Sequence, residues 1–341
     1  MSLKAPIMRL LFTALACLIS FNALADLTGP HYFNDPNGNN REYYLYVPLD
    51  LPENSPLVFS LHGWGGSGLA KSSYGSINSL ADSQNFLVCY PTALIDGDGG
   101  TSGLTSWNTN GMEDVEFIIA LTNNLINEFQ IDENKVFSTG FSYGAEMSHH
   151  LALCQGSNVF AAIAPVGGAI FDYMSICSPS IKTSVFVLHG TADNVVSYYG
   201  GYFEGYGPYA SAPETVSEWA DFNSCDLVES YTISSGGPSG SVDVEKYFNP
   251  TENISVWFYS IINLGHSWPT VSNSDINGYE EIWDFFMHVM NNDQSHIDEV
   301  ITQKLLIKSV DALGREVNQT TNQILFFIYD DGSVEKKFIV E

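Results

Sequence analysis

Positive charge is scarce in this chain. Its 341 residues include 12 lysines and arginines against 39 aspartates and glutamates, a formal net charge of −27 at pH 7. A field of that sign repels nucleic acid and anionic lipid headgroups, which excludes a function built on either. Cysteine is also scarce, and the five present form neither a C-x-x-C nor a His/Cys cluster at metal-site spacing. After residue 25 no apolar run is long enough to cross a bilayer, so no membrane span is expected there. Internal repeats are absent.

The one long apolar run is at the N-terminus, residues 10–24. Lys4 and Arg9 precede it, and it ends in Ala23-Leu24-Ala25, a small-x-small cleavage site. Residues 1–25 therefore read as a signal peptide, Asp26 as the first mature residue, and the protein as secreted, outside the cell or at its surface. Loss of Lys4 and Arg9 takes the charge from −27 to −29, an excess that keeps a secreted protein soluble. In an oxidising compartment Cys154 and Cys177 are compatible with a disulfide. Cys89, inside an apolar run, reads as a buried thiol, and Cys225 has no evident partner.

Short apolar, β-branched runs alternate with helical patterns. Residues 41–47, 56–61, 86–90, 135–139, 160–166, 184–188 and 255–262 read as strands. Helices are expected over 71–83, over 278–290, and where Val115, Ile118, Ile119, Leu125, Ile126 and Phe129 share one face. Strands separated by helices predict an α/β fold, a mostly parallel sheet flanked by helices. The polar run 291–295 reads as a linker. A catalytic domain is thus expected over 26–292 and a small β module over 293–341, where runs 324–329 and 334–340 flank Asp330-Asp331-Gly332-Ser333 as a hairpin.

The chemistry concentrates at Gly140-Phe141-Ser142-Tyr143-Gly144, between a strand pattern and a helix pattern. A G-x-S-x-G segment there is the nucleophile elbow of the α/β-hydrolase fold: the glycines permit a sharp turn and the serine projects from its tip. Such a serine needs a base, an orienting acid and an oxyanion hole, in the chain order Ser, acid, His. Strand 184–188 runs into His189-Gly190-Thr191-Ala192-Asp193, and strand 255–262 into Asn263-Leu264-Gly265-His266. Asp193 is the candidate orienting acid and His266 the candidate general base. Strand 56–61 runs into His62-Gly63-Trp64-Gly65-Gly66, a glycine-rich loop whose backbone can face a carbonyl oxygen. Trp64 and Tyr143 are the candidate oxyanion-hole donors, through their backbone N–H groups.

These four motifs together resemble the secreted polyhydroxybutyrate depolymerase and feruloyl esterase group, α/β-hydrolases related to carbohydrate esterase family 1. Trp107-Asn108 and Asp114-Val115-x-Phe117 extend the similarity, which covers roughly residues 41–290. The resemblance implies Ser142, Asp193 and His266 as the triad and the Trp64 and Tyr143 amides as the hole. It also implies a serine carboxylesterase acting through an acyl-enzyme on feruloyl or acetyl esters of polysaccharides, or on a polyester such as polyhydroxybutyrate. Three departures stand out. Ala145 follows the elbow where the group often has a third glycine, Trp64 stands where cysteine is frequent, and the group's partner for Cys225 is missing. That last change leaves the His266 loop without one family disulfide. The C-terminal stretch from Val310, with its Lys336-Lys337-Phe338-Ile339-Val340 ending, resembles a type IX secretion sorting domain, which implies secretion machinery as a partner; otherwise it is a hairpin docked on the catalytic domain.

Trp268, two residues past His266, is the candidate substrate contact beside Trp64. Residues 198–209 hold many tyrosines among glycines, which fits either a substrate-binding rim or a loop packed on the body. Asp96-Gly97-Asp98-Gly99-Gly100 reads as a rim loop rather than a calcium loop, since the later carboxylates are absent. His149 and His150 are adjacent on a helix and point to different faces. No metal or organic cofactor is implied. Two other readings share parts of this pattern: a prolyl-oligopeptidase-like serine peptidase, and a catalytically silent hydrolase fold used for surface binding.

Overall fold

The computed structural model describes residues 26–73, 77–155, 158–177, 179–234, 240–301, 306–310, 315, 317, 323–329 and 334–339. The expected signal peptide and the hairpin turn at 330–333 lie outside the described residues. The chain opens with β1 (Asp26–Asn34), β2 (Asn40–Val47), β3 (Leu57–Leu61), α1 (Gly68–Ser72), α2 (Ile77–Gln84) and β4 (Leu87–Pro91). It continues through α3 (Glu113–Phe129), β5 (Val136–Phe141), α4 (Tyr143–Cys154), β6 (Ala162–Val166) and β7 (Ser184–Gly190). Next come β8 (Gly201–Phe203), β9 (Gly207–Tyr209), α5 (Ala212–Asn223), β10 (Asp226–Ile233), β11 (Val242–Asn249), β12 (Ile254–Ile261) and α6 (Gly278–Ile301).

Ten strands form one sheet in the order β1-β2-β4-β3-β5-β6-β7-β12-β11-β10. Its middle, from β4 to β12, is parallel throughout. Antiparallel strands close both edges. The central strands are buried except at Phe141, the last residue of β5, as their apolar runs require of strands covered on both faces. Val115, Leu121 and Leu125 of α3, Met147 and Leu151 of α4, and Val216 and Trp219 of α5 fill one face. Ile77 and Ala81 of α2 and Ile282, Trp283, Phe286 and Val289 of α6 fill the other. The α/β sandwich expected from the alternation of patterns is therefore present.

Arg41, one of the few basic residues, is fully buried at the β2 end of the sheet. It pairs with Asp35 at 3.3 Å and Asp114 at 2.5 Å and lies 3.9 Å over the Phe117 ring. Asp114 also accepts the Asn108 N–H at 2.7 Å, so this cluster ties the N-terminal hairpin to α3 and to the loop before it.

Some boundaries differ from the sequence expectation. The single helix expected over 71–83 is two, α1 and α2. Gly75 lies between them in sequence, and a glycine costs about 1 kcal/mol in a helix interior. The run 291–295 is helical rather than a linker, because α6 continues to Ile301 through a stretch that holds no glycine or proline to stop it. Strands β1, β10 and β11 lacked a continuous apolar signal: glycine and proline interrupt β1, and acidic residues interrupt β10 and β11 at or next to the sheet edge. Beyond α6, β14 (Gln323–Tyr329) pairs with β15 (Val334–Ile339) as the expected hairpin, and β13 (Leu306–Val310) adds a third strand.

Candidate active site

Because the central strands are parallel, their C-terminal ends open on one side of the sheet, and the loops there meet. β5 turns into α4 through Ser142, whose backbone is left-handed in φ at 56° with ψ −123°. Its N–H donates to the Val166 carbonyl at 3.0 Å. A Cβ at Gly140 would stand 2.2 Å from the Gly144 oxygen, and one at Gly144 would stand 2.5 Å from the Leu61 oxygen. Only glycine fits either position, which is why the elbow sequence carries both. Ala145, the departure from a third glycine, is accommodated by Gly168, where a Cβ would come within 2.6 Å of the Ala145 methyl.

Asp193 lies just past β7 and His266 just past β12. His266 Nδ1 is 2.7 Å from Asp193 Oδ2, and His266 Nε2 is 2.9 Å from Ser142 Oγ. An ionised carboxylate only accepts, so Nδ1–H donates to Asp193 and Nε2 is left to accept the serine hydroxyl proton. Asp193 Oδ1 accepts the N–H groups of Val195 at 2.9 Å and Val196 at 3.0 Å. Burial opposes ionisation of Asp193, but its bonds from His266 and Val195 and the neighbouring imidazoles outweigh it, and its pKa lies below the usual carboxylate value. The Phe141 ring packs 4.7 Å from the His266 ring. The loops that carry Asp193 and His266 are tied to each other: Thr191 Oγ1 accepts the Asn263 N–H at 2.9 Å, and Ala192 N–H donates to the Leu264 carbonyl at 3.0 Å. Cys225 is a free thiol.

The glycine-rich loop after β3 approaches the serine closely. A Cβ at Gly63 would lie 3.5 Å from Ser142 Cβ and 4.0 Å from its Oγ. His62 anchors this loop. Its Nδ1–H donates to Gly63 O at 2.7 Å, its Nε2 accepts the Ala93 N–H at 3.0 Å, and its carbonyl accepts Trp107 Nε1–H at 2.8 Å. Burial pushes its pKa down to about 4, so the ring is neutral and the bonds keep one direction. The Trp64 N–H makes no hydrogen bond among the described residues. Tyr143 opens α4, so its N–H has no intrahelical acceptor. The Trp64 side chain is 53% exposed at the cavity mouth.

A cavity of about 710 Å³ reaches Ser142 and His266. Trp64 and Trp268, both singled out from sequence, line it. Trp268 stacks on Tyr279 at 4.3 Å and carries the Lys71 ammonium 4.1 Å above its ring. Lys71 is buried without a carboxylate partner among the described residues, and burial pushes its pKa down to about 7. The tyrosine-rich segment packs on the body and also borders the cavity. Tyr198 and Tyr206 pack on the body, their hydroxyls bonded to Ser260 and Asp98. Phe203 and Tyr206 face the cavity, while Tyr199 and Tyr202 are exposed. Asp98 holds the rim by accepting from Tyr206, Ser106 and Gly100. His149 and His150 do point apart, one to Trp219 and the other to the Gly111 carbonyl. Lys71, Phe141, Glu146 and Phe171 of the cavity wall escaped the sequence reading, because each sits in an ordinary helix, strand-end or loop pattern.

Residues 41–197 match the family described as Esterase PHB depolymerase. The Aspergillus niger protein named "Probable feruloyl esterase C" is 32% identical over 202 residues, which are 52% of this chain and 69% of that protein. The chain belongs to the esterase PHB depolymerase family. A bifunctional acetylxylan esterase/xylanase of Neocallimastix patriciarum is 28% identical over 251 residues, 73% of this chain. The match spans only 33% of that longer protein. Among solved structures, the acetyl xylan esterase from Aspergillus awamori aligns with a TM-score of 0.56 at 18% identity. It covers 77% of this chain and 99% of its own, a likeness of fold. By family, then, the protein is a carboxylic ester hydrolase, and no helix among its described residues is long and apolar enough to cross a membrane.

Proposed function

We propose that the protein is a secreted serine carboxylesterase working through an acyl-enzyme. The observation that carries this reading is the bonded series Asp193–His266–Ser142 at 2.7 and 2.9 Å, with the proton directions that nucleophilic attack needs. Ser142 Oγ attacks the ester carbonyl while His266 Nε2 takes its proton. The oxyanion of the tetrahedral intermediate is received by the Trp64 and Tyr143 N–H groups, each such donor being worth about 3 kcal/mol. His266 then delivers the proton to the leaving alkoxide, and a water molecule activated by the same imidazole regenerates Ser142. Asp193 holds the tautomer and stabilises the imidazolium throughout.

The substrates that the relatives' names support are feruloyl or acetyl esters of polysaccharides, and the family description adds polyhydroxybutyrate. Trp64 and Trp268 are proposed substrate contacts. We further propose that residues 1–25 direct export and that the β strands beyond α6, β13 to β15, serve as an address for secretion machinery, outside the chemistry. Ser142→Ala is expected to abolish hydrolysis of p-nitrophenyl butyrate and labelling by a fluorophosphonate. Labelling that persists would remove Ser142 from the mechanism. Rates on methyl ferulate, acetylated xylan and polyhydroxybutyrate would rank the substrates.

A further inference from the structure

Glu146 stands one helical turn beyond Ser142 on α4, with its N–H donating to the Ser142 carbonyl at 3.1 Å. It is 5% exposed, and what remains open faces the cavity that reaches Ser142. No ion pair or hydrogen bond engages its carboxyl among the described residues, and burial alone holds its pKa well above the usual value. Burial of this kind favours the neutral acid over the carboxylate. An uncompensated buried carboxylate would cost several kcal/mol, and an apolar residue would fill this helix position without that cost.

Its surroundings are chemically specific. The phenols of Tyr143, Tyr173 and Tyr206 are near enough to feel its charge. Thr109 Oγ1 links the Tyr143 and Tyr173 hydroxyls at 3.4 and 2.9 Å. Phe171 and Phe203 complete this part of the wall with carbon. A neutral carboxyl offers one donor and free acceptor capacity, which is the complement of a hydroxyl. The leaving oxygen must receive its proton from His266 Nε2, whereas Glu146 lies one turn along the helix that begins with Tyr143, the oxyanion donor of the proposed mechanism, so the acyl group is the part of the ester matched to Glu146.

We propose that Glu146 is a specificity-determining residue that hydrogen-bonds a hydroxyl carried by the acyl group, so that hydroxylated acyl esters are preferred over plain ones of equal size. The proposal rests on the serine-esterase reading and deepens it. The test measures kcat/KM for two pairs, methyl 4-hydroxycinnamate against methyl cinnamate and p-nitrophenyl 3-hydroxybutyrate against p-nitrophenyl butyrate. The proteins compared are the wild type, Glu146→Gln and Glu146→Leu. The wild type is expected to prefer the hydroxylated member of at least one pair by about tenfold, the effect of one hydrogen bond. Glu146→Leu should erase that preference while keeping the plain ester within about threefold of the wild-type rate. Glu146→Gln should keep part of the preference, since its amide also donates and accepts. Equal rates within both pairs in the wild type would overturn the proposal. So would a uniform loss on both members in Glu146→Leu and Glu146→Gln, which marks a purely structural role. Inactivity of the wild type on all four esters, with no fluorophosphonate labelling of Ser142, would instead remove the serine-esterase reading, and this proposal with it.

Discussion

Ser142 is held in a backbone conformation that a non-glycine residue rarely adopts, and the surrounding contacts keep it there. The turn aims Oγ at an imidazole whose proton is assigned by Asp193. Asp193→Asn tests that assignment. An asparagine amide donates toward Nδ1, which leaves the proton on Nε2 and removes the acceptor for the serine hydroxyl. Turnover of p-nitrophenyl butyrate should fall by about 10³- to 10⁴-fold with kcat bearing most of the loss. The side-chain oxygen can still accept from Val195 and Val196, so Tm should change little. A retained rate would place the orienting role elsewhere. Ser142, Asp193 and His266 were readable as residues because each ends a strand pattern in a fixed order. Glu146 and Lys71 were not, because a helical acid or base looks solvated until the neighbours that bury it are known.

At the scale of elements, the Cys154–Cys177 disulfide joins the end of α4 to the loop after a short 3-10 turn, Asp172–Ile176. The cysteines are 23 residues apart, and closing a loop of that size contributes about 3 kcal/mol. The double substitution Cys154→Ala/Cys177→Ala should lower Tm by several degrees in calorimetry, with esterase activity at 25 °C largely kept. An unchanged Tm would show that the loop is already restrained by its packing. The elements themselves were legible where the pattern was long and regular, as in α3 and the central strands. They were not where polarity misleads: the acidic strands β10 and β11 gave no strand signal, and the polar run 291–295 within α6 reads as a linker.

The whole molecule combines a strong acidic excess with a set of buried, neutral histidines. Burial pushes His62 to about 4 and His149 to about 3, and it lowers His150 and His189 as well. Unfolded, each takes up a proton near pH 6.5, so the unfolded state binds more protons than the folded one below that pH. The contribution of these histidines to stability should therefore decline as pH falls from 6.5 toward 4. The depressed Asp193 adds a further loss once pH passes below its ordinary value of 3.8. Thermal unfolding followed from pH 8 to pH 4 checks this. His149→Gln, which can still accept from Trp219, should make the acid slope shallower, and an identical slope would remove His149 from the account.

By itself the sequence determined the layered α/β order, the elbow serine and its two partners, because strand periodicity and chain order are local and sequential signals. Tertiary structure alone decided which side chains share a cavity with Ser142. The distance between Glu146, Lys71, Tyr206 and the nucleophile depends on how loops far apart in sequence close over the sheet, and burial of that kind sets both their charge state and what they can bind.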